Sequence, residues 1–441
     1  LEDLYVGGGS GQAGAIFIQQ KSGQFIRKAE PALEADKGSE DADAVFSDVN
    51  GDGFPDLYVA AGGYHNYTAD DKLLQDRLYL NDGSGKFTKA MNALPVMRGS
   101  KSCVRVADFN GDGYPDFFIG GRVVPGRYPE TPESFLLIND GKGHFTNQIA
   151  ALAPALQKAG MVTDAAWTDM NGDKKEDLVV VGEWMPVSVF INTGGKLENK
   201  TSDYFDKNYS GWWNKLLVKD MNGDGKPDLV IGNLGLNSQC KVSDKEPAEM
   251  YYKDFDDNGS VDPIFCFYIQ GKSYPYVTKD ELLDQMSTMR TRFTDYKSYA
   301  DVTINDLFTA DELKSAGHLQ ANELKTVYFE SGANGRFHEK ALPLQAQFSP
   351  VYTITPLDYD KDGKEDLLLC GNINHSRLRF VKYDANYGVL LKGDGKGNFS
   401  YVNQQQSGFN LWGDVRSVIS IDNLLLFGIN QKEIEAYKLP K

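Results

Sequence analysis

One nine-residue pattern, D-x-[DN]-x-[DN]-G-x-x-D, recurs six times and constrains this chain's fold more than any other feature. Its oxygen-bearing positions are Asp48, Asn50, Asp52 and Asp56; Asp108, Asn110, Asp112 and Asp116; Asp169, Asn171, Asp173 and Asp177; Asp220, Asn222, Asp224 and Asp228; Asp254, Asp256, Asn258 and Asp262; and Asp358, Asp360, Asp362 and Asp366. Side chains at positions 1, 3, 5 and 9, with the carbonyl of position 7, suit a hard cation that takes about six to eight oxygens. Glycine at position 6 allows the left-handed turn that closes the loop. Lys174 stands there in the third copy, which predicts a strained and weakened site. The bidentate Glu of an EF-hand is missing, and β-like runs flank the loops in place of helices. The expectation is about five to six Ca2+ ions in loops that are not EF-hands.

Intervals of 51 to 61 residues separate the first four copies, a period in the range of propeller blades and solenoid units. A β-run precedes each loop, as in Ala44-Val-Phe-Ser47, and an apolar run ending near glycine follows it, as in Leu57-Tyr-Val59. A third run, a Gly-rich turn and a fourth run complete the unit. Alternation, turn residues and β-branched or aromatic content predict four antiparallel strands per unit. The copy at Asp254 comes too soon for a new unit, so it is expected inside an insertion over 237–320. There, Thr278-Lys-Asp-Glu281 and Thr309-Ala-Asp-Glu312 fit the capping box that opens a helix. Thr326–Phe329 and Arg336–Glu339 are expected to resume the interrupted unit.

A formal net charge of −16 argues against nucleic acid or an anionic membrane as partner. Much of that charge lies in the loops, where bound Ca2+ would offset it. Cys103, Cys240, Cys266 and Cys370 show no CxxC spacing and read as buried thiols. Loops of modest affinity fill from extracellular calcium, which places the chain outside the cytoplasm, secreted or at the cell surface. No run reaches the length of a membrane span, and no signal peptide is present. Leu1–Gly7 aligns with Phe54–Ala60, as if the chain opened inside a further loop. That start is expected of a piece of a longer protein with its targeting segment upstream.

The D-x-N-G-D-G-x-P-D-L-x-V-G-G grammar resembles the FG-GAP/VCBS repeat of the integrin alpha-subunit propeller. It is closer to large bacterial surface VCBS proteins of the ASPIC/UnbV type. The resemblance implies an all-β, seven-bladed β-propeller with calcium between the first two strands of a blade. Blades would lie near 1–30, 42–92, 101–150, 161–202, 213–345, 348–405 and 412–439, the first lacking its innermost strand and the last its metal loop. It further implies an outer-membrane lipoprotein, partnered by a nutrient-uptake transporter and its substrate-capturing lipoproteins.

In such a blade the calcium turns lie on one face, and the longer connections gather on the other. Loops carry function more often than strands, and Trp, Tyr and Arg anchor interfaces. Tyr64, Tyr67, Arg127, Trp184, Trp212, Trp213, His375 and Arg377 are therefore the candidate partner-binding residues. Packing between blades is the competing role for the tryptophans. No HExxH, GxSxG or P-loop occurs, and repetition of one site argues for architecture over chemistry. The expectation is a non-catalytic binding or assembly module for a protein partner. A glycan-binding module and a polysaccharide-active enzyme are the alternatives.

Overall fold

The computed structural model describes residues 2–376 and 381–439. The chain is all-β, and its strands pair antiparallel into successive sheets. Sheet one comprises Leu4–Val6, Ala15–Gln19 and Phe25–Lys28. Sheet two comprises Glu40–Ser47, Asp56–Gly62, Arg77–Asn81 and Phe87–Lys89. Sheet three runs Ser100–Ala107, Asp116–Val123, Phe135–Asn139 and Phe145–Asn147. Sheet four runs Met161–Thr168, Asp177–Pro186, Ser188–Asn192 and Leu197–Asn199, with Ser210–Trp212 added beside Asp177–Pro186. Sheet five has Lys215–Lys219, Asp228–Gly232, Val327–Ser331 and Phe337–Lys340. Sheet six has Val351–Leu357, Asp366–Gly371, Val389–Gly393 and Phe399–Val402, and sheet seven has Val415–Ile421, Leu424–Ile429 and Glu435–Lys438.

In sheets two, three, five and six the second strand is the most buried element, and the sequence shows why. Asp56–Gly62 and Asp228–Gly232 are buried at every residue, because each is covered on both faces by neighbouring sheets. Such a strand reads as a continuous apolar run instead of an alternating one. Each consecutive pair of sheets shares one apolar cluster. Leu57, Val59 and Ile16 join sheets one and two; Tyr58, Phe117 and Leu137 join two and three. Phe118, Val162 and Val180 join three and four; Val179, Trp213 and Phe329 join four and five. Val230, Tyr328 and Leu367 join five and six, and Leu368, Leu390 and Phe427 join six and seven.

Polar ties cross the same boundaries. The Asn139 amide donates to the Val49 carbonyl at 2.9 Å, and Asn192 does the same to Phe109 at 3.0 Å. The first strands of successive sheets lie side by side, with β-bulges at Asp41/Asp43 and Val162/Asp164. From these strands Asp43, Arg105, Asp164 and Lys215 form one chain of ion pairs. Arg105 bridges Asp43 (2.7 Å) and Asp164, and Lys215 reaches Asp164 at 2.9 Å.

Between Gly232 and Val327 the chain leaves sheet five and returns to it, so that Leu229 pairs with Phe329. The excursion carries helices at Lys279–Gln285, Ile304–Leu307 and Ala310–Ser315, opened by capping boxes at Thr278/Glu281, Thr303/Asp306 and Thr309/Glu312. It also forms a sheet of its own, from Ala248–Lys253, Asp262–Ile269, Lys272–Pro275 and Gly317–Ala321. The helices and the early acidic loop are legible in the sequence. The sheet is not, because Met250 pairs with Leu319 across the intervening helices.

Candidate binding and cation sites

All six acidic loops join the first and second strands of a sheet, five in sheets two to six and one in the inserted sheet. Their internal hydrogen bonds repeat. In the first loop the Asp48 carboxylate accepts the amides of Gly51 (2.8 Å), Asp52 (3.2 Å) and Gly53 (2.8 Å), while Asn50 accepts from Asp52. Asp56 is fully buried and accepts from Val49 at 3.1 Å and from Asn81, on the third strand, at 2.8 Å. The equivalent carboxylates reach the third strand through Asn139, Asn192, Ser331 and Gly393. The ninth position is thus a staple as well as a candidate ligand.

Glycine occupies two left-handed positions of the ring, not one. Gly51 and Gly53 have φ of 74° and 87°. Three loops place a side-chain-bearing residue at one of the pair: Lys174 (65°), Asp257 (55°) and Lys361 (61°). Lys174 still donates its amide to Asp169 at 2.7 Å, so the third loop keeps the common hydrogen-bond pattern.

The donor set fits a hard cation. Asp254, Asp256 and Asp262 bring one oxygen each within 4.8 Å of one another, as do Asp358, Asp360 and Asp366. Among the described residues Asp116 Oδ2 and Asp256 Oδ1 are buried without a hydrogen-bond partner, which is costly for a carboxylate unless a cation answers it. Burial pushes the Asp116 carboxyl up to about 6, partly offset by the amides it accepts. In the sixth loop the Lys392 ammonium lies against Asp360 and Asp362.

The partner-binding candidates divide when placed in the fold. Trp213 is fully buried between sheets four and five, and Tyr67 is 7% exposed with its hydroxyl donated to the Gly38 carbonyl. Neither offers a surface to a partner, which corrects the expectation for both. Trp184 is 6% exposed and Trp212 half-buried, because the inserted sheet covers them; Trp184 stacks edge-on against Trp212 at 5.0 Å and Phe265 at 5.9 Å. Tyr64 is half-buried against His65, Arg127 is exposed and paired with Glu130, and His375 is exposed. Arg377 lies outside the described residues.

Where the inserted sheet meets the main stack, a cavity of about 500 Å3 opens. The stack contributes Arg122, Tyr128, Glu183, Trp212 and Asn214, with Tyr352 from sheet six. The insertion contributes Pro263, Phe265, Tyr276 and Gln285. Arg122 and Glu183 form an ion pair, the Tyr128 hydroxyl donates to Glu183 at 2.6 Å, and the Trp184 indole donates to Tyr128 at 2.8 Å. Burial and the Glu183 carboxylate push the Tyr128 phenol far up, so it stays a donor. Burial opposes the charge on Arg122, but Glu183 outweighs it and raises the guanidinium further.

Backbone strain builds this wall. Trp184 has φ 59°, where the pairing between Asp177–Pro186 and Ser210–Trp212 breaks register. A bulky residue adopts that conformation only under constraint, and such strain gathers at functional sites. In a regular strand neighbouring side chains face opposite ways. Here Glu183 and Trp184 both line the cavity. The sequence signal is a glutamate closing the apolar run Leu178–Gly182, beside the more conspicuous aromatics. Tyr128 and Phe265 carried no comparable signal.

Residues 48–119 and 169–231 match the model of the FG-GAP-like repeat, so the chain carries FG-GAP-like repeats. No curated protein matches it. Among solved structures, the V. cholerae biofilm matrix protein Bap1 is similar at 12% identity over 94% of this chain and 90% of that one, with a TM-score of 0.29. Saccharomyces cerevisiae Sqt1 shares 11% identity over 100% and 94%, with a TM-score of 0.43. The Dos1 propeller shares 9% over 99% and 89%, with a TM-score of 0.40.

Proposed function

We propose that this chain is a non-catalytic, calcium-stabilised binding module of a secreted or cell-surface protein. Its sheets are the blades of a seven-bladed propeller, and Ca2+ fills the acidic loops between first and second strands. The ligand seats on the opposite face, in the cavity that the inserted sheet roofs. That cavity is the observation that carries the reading: small-ligand sites are concave, mostly apolar and furnished with a few convergent polar groups. Burial of Trp213 and Tyr67 leaves a flat aromatic face with fewer anchors and supports this recess as the binding surface.

Calcium is tested by melting. Chelator should lower the melting temperature by many degrees, and Ca2+ should restore it where Mg2+, which demands tight octahedral geometry, does so poorly. Each site filled at a hundredfold excess over its Kd contributes about 2.7 kcal/mol. Equal rescue by the two ions would overturn the assignment. Binding is tested with labelled polysaccharides and envelope proteins in millimolar Ca2+. The module should retain a binder unchanged, and Asn214→Trp, which fills the cavity, should abolish retention. Product formation would overturn the non-catalytic reading; retention by Asn214→Trp would move the site elsewhere.

A further inference from the structure

The cavity's chemistry is specific enough to name a ligand class. Its polar floor pairs opposite charges, Arg122 with Glu183, with side chains 33% and 21% exposed, while the other lining carboxylate, Glu281, is engaged by the amide and hydroxyl of Thr278. An anionic ligand attracted by the guanidinium meets the carboxylate, and a cationic one meets the reverse. A wholly apolar ligand would strip water from both ions and return nothing to them. The floor favours an uncharged, polar guest.

The hydrogen-bonding capacity left over is mixed. A guanidinium carries five N–H donors, and among the described residues Arg122 gives one of them, to Glu183 Oε2. Among the same residues each Glu183 oxygen accepts a single donor, Oε1 from Tyr128 and Oε2 from Arg122. The Asn214 side chain, half-buried in the same wall, adds an amide donor and acceptor. Adjacent donors and acceptors of this kind are matched by hydroxyl groups, which give and accept at once. Around this floor stand Trp184, Trp212 and Phe265, whose centroids lie 5.0 to 5.9 Å apart and form an apolar wall. A guest must therefore present hydroxyls on its edge and C–H groups on its face.

We propose that the cavity binds a neutral saccharide unit, with Arg122, Glu183 and Asn214 taking its hydroxyls and the Trp212/Phe265 wall taking its C–H face. This rests on the binding-module reading above and gives that site its ligand. The strained Trp184 backbone has a purpose in this arrangement, since it places the carboxylate and the aromatic wall on one side of one strand.

Saturation-transfer NMR of the full chain in millimolar Ca2+ tests the proposal. The probes are the methyl glycosides of glucose, mannose and galactose and a set of neutral oligosaccharides, against glucuronate, galacturonate, choline and glycyl-tyrosine. Neutral sugars should give signals, strongest at the C–H protons of one ring face. Asn214→Ala should weaken them at least tenfold without moving the melting temperature by more than a few degrees. Arg122→Gln should do the same, and if it fails to fold Asn214→Ala alone decides. Sugars bound equally by wild type and Asn214→Ala would overturn the proposal. Uronates, choline or the dipeptide binding in place of neutral sugars, and lost in Asn214→Ala, would overturn the ligand class and leave the binding site standing. No binding by any probe would overturn both.

Discussion

The acidic loops of the main stack and the loop of the inserted sheet share one sequence pattern but are held differently. In sheet five, Asp228 accepts the amides of Met221 (3.1 Å) and Ser331 (2.8 Å) and the Tyr328 hydroxyl (2.9 Å). In the inserted sheet, Asp262 accepts the Phe255 amide at 3.0 Å and, at a long 3.5 Å, the Gln285 amide. No third-strand amide reaches it among the described residues. One motif therefore serves two purposes. In the stack it is a staple between strands. In the insertion it borders the cavity, since Gln285 and the adjacent Pro263 both line that wall.

Changes to the tryptophans should separate the two regions most strongly. Trp213→Ala removes a fully buried ring between sheets four and five and should cost about 3–5 kcal/mol in urea denaturation. Trp212→Ala, under the insertion, should cost less than half as much. Equal costs would mean that the insertion and the stack unfold as one unit. The staples come next. Asp228→Ala should cost about 3 kcal/mol, because three donors lose their acceptor, and Asp262→Ala about 1 kcal/mol. If Asp262→Ala proves the costlier, the inserted loop is the more constrained of the two.

Smaller effects sharpen the picture. Lys174→Gly should stabilise the third loop by about 1 kcal/mol, since glycine meets no penalty at φ 65°. Unchanged stability would show that the loop relaxes around lysine. The weakest effect expected is a pH response of the inserted sheet. Burial pushes the Glu249 carboxyl up, but hydrogen bonds from His318 (3.0 Å) and Ser273 (2.7 Å) outweigh it and hold the group below its usual range. A depressed carboxyl contributes stability above its unfolded pKa and loses it as pH falls through the folded value. Amide exchange in Ala248–Lys253, corrected for intrinsic rate, should accelerate once pH drops below the usual glutamate range. Glu249→Gln should flatten that response.

The repeated loop and its flanking runs made the stacked sheets readable, because local pattern and local pairing coincide there. Val327–Ser331 was foreseeable despite its distance from Asp228–Gly232, since its own run repeats the grammar of the other third strands. Three things were not readable. Trp213 and Trp212 are neighbours in sequence, yet one enters the core and the other faces the insertion, a choice made by strand register. The cavity is composed of residues from sheets three, four and six and from the insertion, and no local signal joins Arg122 to Phe265. Left-handed geometry at the fourth loop position was hidden for a simpler reason: glycine fills it in four copies, but Asp257 and Lys361 break the pattern in the other two.

The insertion also sets an order of events. Asp228 is made about a hundred residues before Tyr328 and Ser331, which satisfy its carboxylate. While a ribosome translates that interval, sheets two to four have their four main strands, but the fifth has a raw edge and Asp228 has only the Met221 amide. The excursion's capped helices can form before the long loop closes, whereas its sheet waits for Gly317–Ala321. Sheet five then completes around helices already formed. Nascent chains halted near Leu324 should therefore be the most aggregation-prone, and a cation held by Asp220, Asp224 and Asp228 would act first as their chaperone.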